Sequence, residues 1–233
     1  MDAKELIRRY EAGQRGFPGA DLSEARLFHA TLCEAHLFHA TLTRADLTHA
    51  DLRAAVLSWT DLTKANLAHA DLRDADLWAA DLRDANLRDA NLRGAGLQEA
   101  DLTRADLTRA DLAGAIMTNA DLTGTILTEA NLIGAALHGA GLQAATIDVN
   151  TQIDHKWQLV WSILNDSRSA RDLRQADLRG ANLRDANLRG ADLRGAILRD
   201  ADLRDADLNE ATLHQADLRG AVLQGTSMSR ARR

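Results

Sequence analysis

The sequence is poor in cysteine, proline and aromatic residues. It contains one cysteine, Cys33, so it has no disulfide framework and fits a reducing compartment. Aromatic residues make up only 3% of the chain, although hydrophobic residues make up 45%. Because an ordinary globular core draws on Phe, Val and Ile as well as Leu, this composition indicates a core of a different kind.

Long apolar runs and a large net charge are also missing. The amino-terminal stretch MDAKELIRRYEAGQRGF has no apolar segment of the kind found in a signal peptide or a membrane span. We therefore expect a cytoplasmic protein without a membrane partner. The formal net charge of −6 is mild and argues against a general nucleic-acid-binding protein.

A five-residue repeat dominates the sequence instead. Leu occupies every fifth position from Leu22 to Leu142, except at Met117, and Ala usually stands two residues before it. Five is the period of neither an α-helix nor a β-strand, so neither element would bury these leucines on one face. Ala and Leu two residues apart do share one side of a short extended segment. The repeat therefore predicts a chain that turns every five residues and coils around a leucine-filled interior.

The units ADLRD, ANLRD and ADLTR resemble the A(D/N)LXX signature of the pentapeptide-repeat family, including its cyanobacterial members. The resemblance extends over nearly all of residues 15–228. It implies an all-β solenoid, namely a right-handed quadrilateral β-helix with four five-residue faces and about 20 residues per coil. Such coils stack at the usual interstrand distance of about 4.8 Å.

A change of phase divides the repeat into two arrays. The first array covers 15–147, and the second covers 171–229 with its leucines one residue out of phase. The segment 148–170 between them has no five-residue pattern. A short inserted helix over about 153–165 is predicted there, because helical spacing relates four of its apolar residues, Trp157, Val160, Trp161 and Leu164.

The two ends of the sequence have patterns of their own. Asp2 can cap a helix over about 3–12, so residues 1–14 are predicted to form a capping helix over the open end of the coil. The last residues, 230–233, are a basic tail that is too short for a second capping helix. We therefore expect the carboxy-terminal coil to pair with a second copy of the chain, which gives an end-to-end homodimer.

Outward side chains twenty positions apart should form columns on such a coil. One column contains His29, His49 and His69. Stacked imidazoles could share a zinc ion, but no acidic or cysteine ligand accompanies them. We therefore interpret the column as a solvated surface feature and expect neither a metal site nor a cofactor.

Aromatic side chains also point outward, and three are predicted on one face of successive coils, namely Phe38, Trp59 and Trp78. Such a cluster on a polar surface indicates a protein contact, unless a loop or the amino-terminal helix covers it. Phe28 is a further outward aromatic residue. Trp157 and Trp161 are additional contact candidates, with the alternative that the inserted helix packs them against the coil.

Arginine and aspartate alternate along the repeats, most regularly in the second array. Such alternation is usually a solvated lattice of ion pairs, so we do not expect nucleic acid as a partner. Residues 20–147 carry a net charge of −8, and residues 171–233 a net charge of +2. The acidic first array raises the alternative of a DNA mimic, although Arg83 and Arg88 interrupt its negative stripes.

No catalytic constellation is visible, and a leucine-filled interior leaves no pocket, so we do not expect an enzyme. The predicted function is a non-catalytic protein–protein interaction scaffold or regulatory binding module, whose protein partner the sequence does not identify. The alternative is a DNA-mimicking inhibitor or protector of DNA gyrase or a related topoisomerase. A metal or pH sensor built on the histidine column is a third interpretation.

Overall fold

The computed structural model describes residues 1–166 and 168–232. Two helices occur in this part of the chain, α1 (Ala3–Glu11) and α2 (His155–Asn165). Neither helix of the described residues combines the length and the apolar character needed to cross a membrane.

The repeats pair through single-residue parallel β-bridges. With one exception, Asn131 with Gln152, the bridges of the described residues join positions twenty apart, for example Asp21 with Thr41 and Thr41 with Asp61. The described ranges contain no extended strand. The reason is that the chain turns again after every bridge, which leaves room for one paired residue per five-residue unit. The coil of twenty residues agrees with the expected fold, whereas the bridges are shorter than ordinary strands.

The repeat 45–49 shows which acceptors the five backbone N–H groups of a repeat can use. In the repeat 45–49, two donate to carbonyls of the following coil, one donates to the preceding coil, and one closes the turn. The fifth, from Thr48, donates to the carboxylate of Asp46 at 3.1 Å. This bond explains why Asp or Asn so often precedes Leu, because the backbone offers that group no acceptor. We name the five positions inward alanine, bridge, inward leucine, turn and corner, here Ala45, Asp46, Leu47, Thr48 and His49.

The corner position has a left-handed backbone conformation. Non-glycine corners have φ between 51° and 64°, including Ala79 at 51° and Glu210 at 64°. A four-residue turn with positive φ at its third residue is the type II pattern, which favours glycine. A side chain at such a corner costs about 1 kcal/mol or more. The stacking of the coils offsets this cost at many corners.

The inward alanines and leucines form the core. From Leu22 to Leu213 the inward leucines are almost fully buried, and each contributes about 1.5–3 kcal/mol. Two threonines replace inward alanines, and each hydroxyl donates to a carbonyl, from Thr60 to Leu37 at 2.9 Å and from Thr125 to Leu102 at 3.0 Å. The predicted inward placement of Ala and Leu is confirmed.

The chain forms two compact units. Unit 1 comprises Met1–Ala136 and Ala145–Asp154, and unit 2 comprises Leu137–Ala144 and His155–Arg233. Residues Leu137–Ala144, which the sequence places in the first array, therefore group with α2 and the second array.

Helix α1 packs on the coil of unit 1. The Asp2 carboxylate accepts the N–H of Glu5 at 2.8 Å and so caps the first turn, as the sequence predicts. Leu6 and Tyr10 are buried, and the Tyr10 hydroxyl donates to the carbonyl of Cys33 at 2.8 Å. These contacts fix the helix through one apolar face.

One additional residue causes the change of phase. Asn131 forms its bridge with Gln152, twenty-one residues further on instead of twenty. The additional residue lies in a loop in which the N–H of Thr151 donates to the Asp148 carboxylate at 2.9 Å. The Thr151 hydroxyl donates to the carbonyl of Leu127, as the inward threonines do elsewhere. The loop thus shifts the register, and at this coil the backbone N–H groups of Glu129 and Gly134 donate to the carboxylates of Asp148 and Asp154.

Helix α2 is anchored within unit 2. The Asn165 side chain donates to the carbonyl of Leu142 at 2.8 Å, and Lys156 donates to the carbonyl of Arg179 at 2.7 Å. Its buried residues are Trp157, Val160 and Ile163. The predicted buried face contained Trp161 and Leu164 and omitted Ile163. That prediction is wrong, because the helix is rotated slightly about its axis relative to the predicted orientation.

The coil of unit 2 continues to Arg232, which forms a bridge with Thr212. Residues 230–232 are therefore part of the coil, which extends beyond the predicted end at 229. Arg233, the last residue of the predicted basic tail, lies outside the described residues. The end-to-end homodimer stays a prediction.

Candidate partner-binding surface

A cluster of aromatic side chains lies on three successive coils of unit 1. Phe38 and Trp78 occupy turn positions, while His39 and Trp59 occupy corner positions of the same face. The register of twenty residues places Trp59 over His39, and the adjacent turn column brings Trp78 beside Trp59. We call these four residues, Phe38, His39, Trp59 and Trp78, the aromatic surface.

The rings of the aromatic surface contact one another. The Trp59 and Trp78 ring centroids lie 5.2 Å apart with planes at 80°, an edge-to-face arrangement. The ring of His39 stacks on Trp59 with centroids 6.1 Å apart, and Phe38 lies 4.6 Å from His39. The cluster therefore has a defined geometry and does not consist of independent surface side chains.

The cluster is open to solvent although its rings pack together. The exposed fraction is 42% for Phe38, 48% for Trp59 and 41% for Trp78. Within the described residues, neither a loop nor α1 covers these side chains, so the covering alternative does not apply. The prediction that they contact a partner stays a prediction.

Trp59 is held in a strained position. Its φ is 58°, and it is the bulkiest residue among the described corners. Large side chains are rarely found in this backbone region, and such strain often accompanies function. Ala54 and Ala79 occupy corners with the same conformation, so the fold itself does not require an indole here.

Carboxylates border the aromatic surface. Asp76 accepts the backbone N–H of Trp78 at 3.0 Å and the hydroxyl of the buried Ser58 at 2.7 Å. Asp61 accepts the hydroxyl of Thr43 at 2.9 Å. Within the described residues, neither carboxylate has a Lys or Arg nitrogen within 4.0 Å. The aromatic rings therefore lie beside negative charge that the protein does not neutralise by ion pairing.

The predicted histidine column is present elsewhere in unit 1. The rings of His29 and His49 have centroids 4.8 Å apart, those of His49 and His69 4.7 Å apart, and both pairs are nearly parallel. Nitrogen lone pairs lie in the ring planes, so stacked parallel rings cannot direct them at one ion. The described residues contain no group of metal-ligating side chains arranged to hold an ion. The zinc interpretation of this column therefore has no structural support.

Arginine side chains of the repeats pair with carboxylates. Arg179 contacts Asp177 at 2.6 Å, and this hydrogen-bonded arginine lowers the pKa of Asp177 to about 2. Across coils of unit 1, Arg104 contacts Asp84 at 2.7 Å. Such exposed pairs add little stability. In these pairs the guanidinium groups contact carboxylates of the protein itself. The arginines therefore do not form an uninterrupted cationic stripe that could bind phosphates.

The two tryptophans of α2 differ in accessibility. Trp157 is 5% exposed and packs edge-to-face on His138, with centroids 5.3 Å apart and Lys156 over its ring. Trp157 thus belongs to the packing of α2 and offers no accessible contact in this structure, contrary to its choice as a contact residue. Trp161 is partly buried and stays a candidate.

Cys33 is partly buried beside Tyr10 of α1. Burial raises the pKa of its thiol, with the nearby Asp51 carboxylate adding to the effect. A thiol with a raised pKa is a poor nucleophile at neutral pH. This residue therefore gives no support for covalent chemistry.

Sequence reasoning missed His39 and the bordering Asp76. The signal for His39 was available, because it lies twenty residues before Trp59 and directly after Phe38. The role of Asp76 was not visible, because Asp occurs at many bridge positions and only the structure shows which ones have no ion-pair partner.

The chain matches the family model described as "Pentapeptide repeats", in eight copies. The matched residues are 20–58, 40–78, 70–109, 105–143, 169–200 and 196–232. A comparison with curated proteins gave no match.

Solved structures similar to this chain include HetL, a pentapeptide repeat protein involved in heterocyst differentiation regulation from the cyanobacterium Nostoc sp. strain PCC 7120. The identity is 34%, the match covers 97% of this chain and 94% of HetL, and the TM-score is 0.54. A pentapeptide repeat protein from the Arabidopsis thaliana thylakoid lumen is 30% identical over 47% of this chain and 74% of its own, with a TM-score of 0.43. QnrB1, a plasmid-mediated fluoroquinolone resistance protein, is 19% identical over 91% of this chain and 89% of its own, with a TM-score of 0.33.

Proposed function

Because this chain belongs to the pentapeptide-repeat family, we propose that it is a non-catalytic protein-interaction module whose unit 1 binds a partner through the aromatic surface. We also propose that the repeats form the right-handed, four-sided coil that the family resemblance implies. On such a framework the side-chain columns have fixed spacing, which suits recognition of another protein surface.

One observation carries the proposal, namely the exposure of four packed aromatic rings on an otherwise polar surface. Tryptophan is enriched among the residues that dominate binding energy at protein interfaces. Exposed aromatic clusters are uncommon on monomeric proteins unless they serve recognition.

Similarity to HetL supports a regulatory role. That protein is involved in heterocyst differentiation regulation, and the match covers nearly the full length of both chains. We infer by this similarity that the present chain has a regulatory role, which we propose it performs by binding another protein rather than by catalysis.

The proposal can be tested by affinity capture from an extract of the source organism. The baits are the wild-type chain, the Trp59→Ala/Trp78→Ala double variant and the Phe28→Ala control, which removes an exposed aromatic residue outside the aromatic surface. We expect the wild type and the control to retain the same specific proteins and the double variant to lose them. Equal capture by all three baits would show that the aromatic surface is not the contact.

The DNA-mimic alternative rests on the charge of unit 1, which has 23 acidic and 14 basic residues. Its acidic columns are interrupted by paired arginines such as Arg83 and Arg104, unlike a phosphate lattice. A supercoiling assay with purified DNA gyrase separates the two functions. Inhibition or protection at micromolar concentrations of this chain, unchanged in the Trp59→Ala/Trp78→Ala variant, would favour the mimic.

A further inference from the structure

The two indoles of the aromatic surface form an open corner. In an edge-to-face pair, the space between the rings is bounded by one π-face of each. The planes of Trp59 and Trp78 meet at 80°, and both side chains are more than two-fifths exposed. In the corner column, the residue twenty positions after Trp59 is Ala79, whose methyl group covers little of the Trp59 ring. A flat or compact group from solvent can therefore reach both rings.

The charge around this corner is negative. Asp76 is bonded to the backbone of Trp78, and Asp61 follows Trp59 by two residues. Asp76 has no Lys or Arg nitrogen within 4.0 Å among the described residues, whereas Arg83 interacts electrostatically with Asp61 without a close ion pair. Unit 1 as a whole carries a net charge of −9. π-faces and carboxylates both attract a cation, so the two features select the same kind of ligand.

We propose that the aromatic surface recognises a basic segment of the partner protein by holding an arginine side chain in the open corner formed by Trp59 and Trp78, next to Asp76. This inference rests on the proposed function and specifies the chemistry of its partner. Arginine fits better than lysine, because its planar guanidinium can stack on an indole while its N–H groups reach a carboxylate. A neutral apolar segment would use the rings but would leave the negative charge of Asp76 without an ion-pair partner.

The test uses synthetic peptides as probes. The first is an acetylated peptide amide with two arginines separated by glycine and serine. The second has citrulline at both positions, which keeps the planar shape and removes the charge. Binding is followed by the indole N–H signals in ¹⁵N-edited NMR spectra of the full chain, assigned by the Trp59→Leu and Trp78→Leu variants. We expect the arginine peptide to shift the Trp59 and Trp78 signals and to bind at least about fivefold more tightly than the citrulline peptide.

Matched variants separate this site from general attraction to an acidic protein. Trp59→Leu and Asp76→Asn are each expected to weaken arginine-peptide binding at least about threefold, whereas Phe28→Leu should bind as the wild type does. Asn is a suitable replacement for Asp76, because Asn86 at another bridge position also accepts a turn N–H. Circular dichroism of each variant establishes that the coil is intact.

Two results would overturn the inference. One is equal affinity for the arginine and citrulline peptides, and the other is unchanged arginine-peptide binding in a folded Trp59→Leu variant. If either occurs while partner capture still depends on Trp59 and Trp78, the interaction module stands and its partner contact is not cationic. If capture is also independent of both tryptophans, the proposed function fails together with this inference.

Discussion

The two units have cores of the same composition and differ in their surfaces. In unit 2, Arg fills seven successive turn positions from Arg174 to Arg204, and most of these arginines pair with nearby carboxylates. In unit 1, the residues at the turn positions vary. Aromatic side chains interrupt its polar surface at two turn positions, Phe38 and Trp78, and at one corner position, Trp59. The comparison indicates that unit 2 has a uniform, charge-balanced surface, while unit 1 has the chemical variety that recognition requires.

The units also differ in net charge. Unit 1 carries −9 and unit 2 carries +3, although both use the same inward Ala and Leu. Since the core occupies only two of five positions, the other three can change without loss of the fold. The difference between the units therefore lies in their outward positions and not in their cores.

The largest effect is expected from a charge placed in either core. Leu87→Asp in unit 1 and Leu198→Asp in unit 2 each bury an unpaired carboxylate, and each should cost about 3 kcal/mol or more. Leu87→Met and Leu198→Met are the controls, with an expected cost below about 1.5 kcal/mol. Thermal unfolding followed by circular dichroism measures both. An unchanged melting temperature for either Asp variant would contradict the burial of that leucine in the core of its unit.

A smaller effect is expected at the glycine corners. Gly114→Ala in unit 1 meets no atom within 4 Å, so it should cost only the backbone strain of about 1 kcal/mol. Gly195→Ala in unit 2 places its methyl group 2.1 Å from the Gln175 amide nitrogen, so this flexible side chain has to move aside and the additional cost should be small. Urea unfolding gives both values. If Gln175→Ala does not reduce the cost of Gly195→Ala, the contact is not its origin.

The inward threonines test how unit 1 tolerates polar atoms in its core. Thr60→Val and Thr125→Val remove buried hydrogen bonds to carbonyls, and each should cost about 1 kcal/mol. In unit 2, Thr226 makes the same bond but is only partly buried, so Thr226→Val should cost less. Urea unfolding of the three variants checks this order. If the Val variants are more stable than the wild type, the buried hydroxyls destabilise the core, contrary to this prediction.

The smallest effect is expected from the ion pairs of unit 2. The hydrogen bonds from Arg174 and Arg179 lower the pKa values of Asp172 and Asp177 to about 2 from 3.8. Groups with lowered pKa values stabilise the folded state above pH 3.8, and this contribution disappears as the pH falls towards about 2. Asp172→Asn/Asp177→Asn should flatten this acid dependence slightly in urea titrations at several pH values. A wild-type stability that rises over the same interval would contradict the assigned direction.

The core of the fold could be predicted from the sequence because its pattern is strict. Ala and Leu recur at a period that only a repeatedly turning chain can bury, and the structure places them inside. Asp2 as the cap of α1 was equally visible, since a capping residue acts on its own first turn. The extra residue before Gln152 was visible as a change of phase, although its loop was not.

The candidate site could be predicted only in part. The periodicity placed Trp59 and Trp78 on one face, but the angle between their rings depends on contacts that no period describes. The rotation that buries Ile163 of α2 was hidden for a similar reason, because the surface against which the helix packs was unknown from sequence. The accessibility of Trp157 was missed with it, since its burial depends on the same packing.

The register of twenty residues also bears on how such a chain can grow. A duplication of twenty codons adds one coil with its hydrogen bonds complete and sets each copied side chain above its original. The parallel stack of His29, His49 and His69 is the pattern that such copying would leave. Trp59 and Trp78 lie nineteen residues apart, in adjacent columns, so their edge-to-face corner is not a product of in-register copying.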